Sequence, residues 1–344
     1  MTDCRASIII VAYNSARYLR ACLDSVQADM GPDDELIVVD NGSGDGGADL
    51  VAAEYPRARL LREANIGYAG GNNRGAAIAR GRLLVFLNPD TVAEPGTIDA
   101  LLEPLEREPQ VGLSTARVVH MDRPEVINTC GNTMHYTGLT YCRGAGQPRA
   151  AFAQAGEVDA ISGAACAISS ELFDRLGGFD ERFFMYVEDT DLSWRARLAG
   201  YRCWLAPAAV VRHDYRPSYT PGKAFFLDRN RLFLLLKHLP GALLLRLLPA
   251  LLLSEAVTWG FMLLKGPRFW LVKLRVYAWI LSTWRIIRAE RHQSVIQRDR
   301  LRVFLRTLTH RLEFGQLAGR RLAQAAGWVF HPAYWLAQRL VGTA

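Results

Sequence analysis

The segment GGFDERFFMYVEDTDLSWR, residues 177–195, sets Glu188, Asp189 and Asp191 within four positions, directly after an aromatic run. Carboxylates this close repel one another. They are costly beside apolar surface unless a cation, a helix N-terminus or a substrate hydroxyl takes up their charge. Leu192, Trp194, Arg195 and Leu198 follow at helical spacing and Gly200 closes the run, so the acids stand at a helix start, where the dipole favours negative charge. Alone, the pattern is a charged helix cap. A second acidic motif upstream changes the weighing. Asn88-Pro89-Asp90 ends the apolar run RLLVFLN, residues 82–88. Asn-Pro-Asp is also ordinary turn chemistry, but a carboxylate at a strand end can hold a divalent cation that touches a diphosphate. His213, in Val-Val-Arg-His-Asp, ends another apolar stretch and could complete a mixed imidazole and oxygen site suited to Mg2+ or Mn2+.

Other polar residues fall at the ends of strand-like runs. Ala12, Tyr13 and Asn14 close SIIIVAY (7–13), and Asp40 closes ELIVVD (35–40). An acid after a strand can accept hydrogen bonds from a base or ribose; it can equally cap a turn. The Gly-rich stretch NIGYAGGNNRG (65–75) offers Asn65, Gly71 and Asn72 where backbone and amides could approach a ligand. It is neither G-x-G-x-x-G nor a Walker loop, so hydride and ATP chemistry gain no support.

Strand and helix patterns alternate through the first 214 residues. Helices are expected at 15–27, with Ser15 as N-cap, at 48–55, at 72–80 after the Gly-rich turn, and at 97–107. ARLLRE reads as a short strand, and residues 110–160 read as irregular. The rhythm predicts an α/β, mostly parallel, doubly wound sheet with ligands at the carboxyl ends of its strands. The expected division is 1–215 and 216–344. Residues 1–214 carry 20 Lys+Arg and 29 Asp+Glu (20 − 29 = −9), and residues 215–344 carry 21 and 5 (21 − 5 = +16). The second part is apolar, basic and cut by Pro240, Pro249 and Pro267. It reads as amphipathic helices at a membrane interface or at an oligomer surface, with 239–264 the stretch nearest to a spanning helix. An anionic membrane suits the mixture of Arg with Leu, Trp and Tyr; nucleic acid, the competing polyanion, is not expected as a partner. The six cysteines show no Cys-x-x-Cys and no paired framework, as in a reduced, cytoplasmic setting. The apolar run Ile8–Ala12 is too short for a secretory signal.

Together SIIIVAYN, VVDNGSGDG, NIGYAGGNNRG, FLNPDT, SGAACAIS, GGFDERFFMYVEDTDLSWR and VVRH resemble the family 2 glycosyltransferases, close to the bacterial rhamnosyltransferases and galactofuranosyltransferases. The resemblance covers residues 7–214 and weakens beyond about residue 235. It implies a GT-A fold and an inverting transfer from a nucleoside-diphosphate sugar to a lipid-linked or cell-envelope glycan. It implies work at the cytoplasmic face of a bacterial inner membrane, and it leaves room for a homo-oligomer. By the same resemblance Asp189 would be the catalytic base, with Glu188 and Asp191 orienting the site. Ala12, Tyr13, Asn14, Asp40, Asn65, Gly71, Asn72, Asn88 and Asp90 would hold the donor. Asp90 and His213 would hold a divalent cation, Mg2+ or Mn2+. Asn88 stands where the family's metal motif has its first acid, which leaves one charge less for the metal. The alternative is a membrane-held protein that binds nucleotide sugars without turning them over.

Overall fold

The computed structural model describes residues 4–215, 219–293, 298–313, 330–336 and 338–339. The chain forms two compact units, residues 1–132 with 142–216, and residues 133–141 with 217–344. In chain order the first unit contains β1 (Ala6–Ala12), α1 (Ala16–Asp29), β2 (Glu35–Asp40), α2 (Gly47–Glu54), β3 (Arg59–Arg62), α3 (Gly67–Ile78), β4 (Leu83–Leu87), β5 (Thr91–Ala93), α4 (Thr97–Arg107), β6 (Val111–His120) and β7 (Ile127–Thr129). A small hairpin follows, β8 (Asn132–Met134) with β9 (Thr140–Cys142), and its residues 133–141 group with the second unit. The first unit is completed by β10 (Gly156–Val158), β11 (Ala165–Ser169), α5 (Ser170–Leu176), α6 (Glu188–Leu198) and β12 (Arg202–His213).

Its sheet runs β10-β12-β6-β11-β4-β1-β2-β3, with β5 joined to β12 and β7 to β6. The four strands β4, β1, β2 and β3 are parallel. β11 runs antiparallel to both β4 and β6, which makes the whole sheet mixed. Residues 110–160, irregular by sequence pattern, supply β6 to β10: Ser114, Thr115 and Arg117 interrupt the apolar run of the ten-residue β6, and β7 to β10 have three residues each, too few to show a period. β1 shows why the centre holds. Ile8 and Ile10 pack with Leu19, Leu23 and Leu101 on one face, while Ile9 and Val11 pack with Ala69 and Leu192 on the other. Alternate residues thus enter opposite cores, as a strand covered by helices on both faces requires.

Helix α3 begins at Gly67, five residues before the expected start at 72. The Gly-rich stretch is helix rather than turn. A Cβ on Gly71 would lie 2.6 Å from Val11 Cγ1, and one on Gly75 would lie 2.5 Å from Ile9 Cγ2. The glycines let the helix lie directly on β1. In α1, Ser15 precedes the helix but makes no side-chain cap bond; the Asp45 carboxylate accepts from the Ala16 amide instead, at 2.7 Å.

The second unit contains α7 (Pro221–His238), α8 (Gly241–Lys265), α9 (Pro267–Gln293) and α10 (Arg298–Thr307) among the described residues. Glu255, midway along the apolar α8, pairs with Arg231 of α7 and lies 3.0 Å from Lys273 Nζ of α9. Lys273 also reaches Asp228 at 2.8 Å, and the Tyr277 hydroxyl donates to Glu255. Two cations and two anions therefore neutralise each other inside the bundle, where each alone would be prohibitively costly. Among the described residues, every exposed large hydrophobic side chain except Tyr13 lies beyond residue 240.

Candidate active site

The site is built where β1, β2 and β4 end. Tyr13 is half exposed just beyond β1. Asn14 follows in the left-handed region, at φ 48°, and its Oδ1 accepts from the Gly44 amide at 2.9 Å. Asp40 is buried at the end of β2, where its carboxylate accepts from the Ser43 amide. Asn41, next along, donates to Asn65 Oδ1 and to the Gly67 carbonyl, and accepts from the Ile66 amide at 3.0 Å. Asn41 thus ties the β2 end to the start of α3, with Asn65 bracing that turn.

Gly71 and Asn72 stand apart from the other strand-end residues. Gly71 faces Val11 beneath the helix, and Asn72 is buried and donates to the Tyr68 carbonyl within α3. Both are engaged in seating the helix. Ala12 is buried at the end of β1, and its carbonyl accepts from the Asn41 amide.

Beyond β4 the Asn88 carbonyl accepts from Thr91 Oγ1 at 2.6 Å, which closes the turn that presents Asp90. β12 pairs with β5, and this register brings His213 beside Thr91. His213 Nε2 lies 3.2 Å from Asp90 Oδ1, and its Nδ1 lies 3.2 Å from Asn128 Oδ1. With Nδ1–H donated to Asn128, the Nε2 lone pair faces the carboxylate. Two acceptors at this distance call for a proton or a cation between them, so an imidazole and a carboxylate here fit a divalent ion. No group of three or more His, Cys, Asp or Glu suited to a metal occurs among the described residues, so further ligands would come from a bound diphosphate or water.

Asp189 lies in the first turn of α6, half buried. Its Oδ2 accepts from the Gly163 amide at 2.9 Å and from Asn132 Nδ2 at 3.2 Å. Its Oδ1 accepts from the Thr190 amide at 2.6 Å and from the Thr190 hydroxyl. Burial raises the Asp189 pKa, and these hydrogen bonds oppose the rise. The Ala164 carbonyl accepts from the Asn88 amide at 3.0 Å. Two adjacent residues, Gly163 and Ala164, therefore connect the Asp90 turn to the Asp189 carboxylate.

The other two acids of the segment differ. Glu188 is only 5% exposed and its Oε2 has no hydrogen-bond partner. Burial, then the neighbouring Asp189, pushes its pKa well above the usual carboxylate range. Asp191 is fully buried and accepts from Arg195 Nε at 2.8 Å, one turn along the helix. The backbone before these acids is strained: Phe184, Tyr186 and Val187 all have φ between 63° and 72°. That is costly for a β-branched residue and persists only where packing enforces it. The Phe184 carbonyl is clamped by the Ala69 amide at 3.2 Å.

Asn128 and Asn132 escape a sequence reading, and Gly163 is reached only as part of the motif SGAACAIS, without a role. The two asparagines flank Cys130-Gly131 in a stretch without period, and only folding brings them to His213 and Asp189.

The sequence profile of "Glycosyl transferase family 2" matches residues 7–176. A curated relative, the N-acetylglucosaminyl-diphospho-decaprenol L-rhamnosyltransferase of Mycobacterium tuberculosis (strain CDC 1551 / Oshkosh), is 29% identical over 242 residues, covering 62% of this chain and 76% of the relative. Two solved structures share the fold. GalNAc-T7, crystallised with UDP, GalNAc and Mn2+, superposes with TM-score 0.57 at 17% identity over 68% of this chain and 48% of its own. A mannosyltransferase from Pyrobaculum calidifontis, in complex with GDP-Man and Mn2+, gives TM-score 0.52 at 18% identity over 98% of this chain and 86% of its own.

Proposed function

The chain belongs to glycosyl transferase family 2, and from that premise we propose that it transfers rhamnose, or a related deoxysugar or furanose, with inversion. The donor is a nucleoside-diphosphate sugar and the acceptor is a hydroxyl of a lipid-linked or cell-envelope glycan. The observation that carries this reading is the Gly163–Ala164 connection, which ties an Asp90 and His213 pair to a carboxylate at a helix start.

An acceptor hydroxyl is a poor nucleophile. Asp189 takes its proton as the oxygen attacks the anomeric carbon, and the carbon–oxygen bond to the diphosphate breaks. A carboxylate whose pKa burial has raised is a better proton acceptor than one in water. Asp90 and His213 would hold a divalent cation, which neutralises charge on the departing diphosphate. With Asn128 Oδ1 accepting from Nδ1–H, His213 would present Nε2 to that cation. Tyr13 and Asp40 face the base and ribose, and Asn41 and Asn65 shape that end of the cleft. A single displacement at the anomeric carbon inverts it.

The helical unit works at the cytoplasmic face of a membrane. Among the described residues one helix, α8, is long and apolar enough to cross a bilayer. We assign it instead to the interface, together with α9. Leu271, Leu274 and Leu281 form an exposed stripe on α9, and Arg275, Arg285 and Arg288 are exposed beside it. Leucine in the acyl region with arginine at the phosphates is the arrangement of a helix lying flat.

Donor binding is tested by thermal shift with a panel of UDP-, dTDP- and GDP-linked sugars, with and without Mn2+ or Mg2+. One donor class is expected to raise Tm, and more so with the metal. A flat response across the whole panel would overturn the assignment.

A further inference from the structure

The Asp189 carboxylate takes hydrogen bonds from two backbone amides and from two side chains. Two of these four donors are local, the Thr190 amide and the Thr190 hydroxyl, and a third is the Gly163 amide, 26 positions upstream on the loop before β11. The fourth, Asn132 Nδ2, comes from β8, 57 positions upstream.

Asn132 is held from several sides. Its amide donates to the Ala160 carbonyl at 2.8 Å, and its carbonyl accepts from the Ala160 amide at 3.1 Å. Its Nδ2 also donates to the Ile161 carbonyl at 2.9 Å. Gly131 before it has φ +81°, and a Cβ there would lie 2.8 Å from the Ala160 carbonyl oxygen, so only glycine admits this approach. The side chain therefore has one orientation, set by backbone on both sides. A donor preorganised in this way needs no reordering when charge changes on its partner.

We infer that Asn132 is a positioning residue for the transfer, one that fixes the Asp189 carboxylate and holds it in its ionised, proton-accepting form. The inference rests on the reading of Asp189 as the base. Other titratable groups bear on the same carboxylate. Glu188 adjoins it on α6, Tyr68 approaches from α3 and Cys166 from β11. Each of these, once ionised, would repel a second negative charge at Asp189. Beside the Gly163 amide, Asn132 supplies a neutral side-chain donor from outside α6 that stabilises that charge.

The test is the titration of the Asp189 carboxyl in the full chain, followed by 13C NMR of labelled aspartate, with Asp189→Asn identifying the resonance. Losing one hydrogen bond to a charged group should move the midpoint upward by about one pH unit in Asn132→Ala. Asn132→Asp, matched in volume but anionic, should move it further. The acid limb of turnover, assayed as nucleoside diphosphate release from the donor that raises Tm in the thermal-shift panel, should shift by the same amounts, with kcat reduced and donor KM unchanged. A midpoint equal to wild type in both variants, with lowered Tm alone, would make Asn132 merely structural and overturn the inference. An active Asp189→Asn would instead overturn the base assignment itself, so the two failures are distinguishable.

Discussion

At the scale of residues, three crowded acids take three environments. Asp191 is neutralised by Arg195 within its own helix, Glu188 is buried with one oxygen unpartnered, and Asp189 is half buried and held by donors from α6, the 163 loop and β8. The prediction that follows is graded. Asp189→Asn keeps the shape but removes the proton acceptor, and its amide nitrogen cannot accept the two hydrogen bonds made to one carboxylate oxygen, so turnover should fall roughly 10²–10⁴-fold. Donor-induced thermal stabilisation should survive. Asp191→Asn should act mainly on stability, because it removes the counter-charge of the half-buried Arg195 from a fully buried position. Comparing turnover with Tm for the two variants checks this; an Asp191→Asn protein with native Tm and no activity would contradict it. The acids, Asp90 and His213 were legible because each ends or starts an element with a strong pattern. Asn128 and Asn132 were not, because a hydrogen bond across dozens of residues leaves no mark on local period.

At the scale of elements, the Gly-rich segment shows how one composition admits two readings. Glycines after a strand suggest a ligand-binding turn, yet here most of them are inside α3, where the missing Cβ lets helix meet strand. Gly67 differs from Gly71. It has φ +78°, and a Cβ on it would lie 2.4 Å from the Phe184 carbonyl oxygen. That carbonyl belongs to the strained turn that leads into α6. Both Gly67→Ala and Gly71→Ala should destabilise the fold by about 1–3 kcal/mol, through overpacking and, at Gly67, a left-handed backbone as well. Only Gly67→Ala should also reduce kcat, because it displaces the 184–187 turn and with it the Asp189 carboxylate. Val11→Ala should partly rescue Gly71→Ala and leave Gly67→Ala unimproved. Denaturation midpoints and turnover, measured on the same preparations, separate the two roles. The continuous apolar runs that predicted β1, β2 and β4 worked because these strands are buried along their whole length. The three-residue strands between 127 and 158 are too short to carry such a signal.

At the scale of the whole molecule, the charge split of the chain finds its explanation in what each unit buries. The first unit places its acids at the end of β2, in the turn after β4, at the start of α6 and in surface pairs. The second neutralises Asp228 and Glu255 internally against Arg231 and Lys273, leaving much of its remaining positive charge at the surface. Hydropathy alone favours α8 as a spanning helix, but Glu255 at its middle is committed to partners on α7 and α9. Crossing a bilayer would take that charged cluster into hydrocarbon or pull it apart, and either is costly. A flat orientation leaves the cluster inside the bundle and puts Leu245, Leu252, Leu271 and Leu274 into one leaflet. The expected outcome is flotation of the full chain with vesicles containing anionic phospholipid, weaker flotation with purely zwitterionic vesicles, and release by alkaline carbonate. Replacing both Leu271 and Leu274 by Glu should abolish flotation while Tm stays within a few degrees, because both side chains are exposed. Retention in the membrane after carbonate extraction would instead mean that α8 crosses it, and the buried Glu255 cluster would then have to lie within the bilayer.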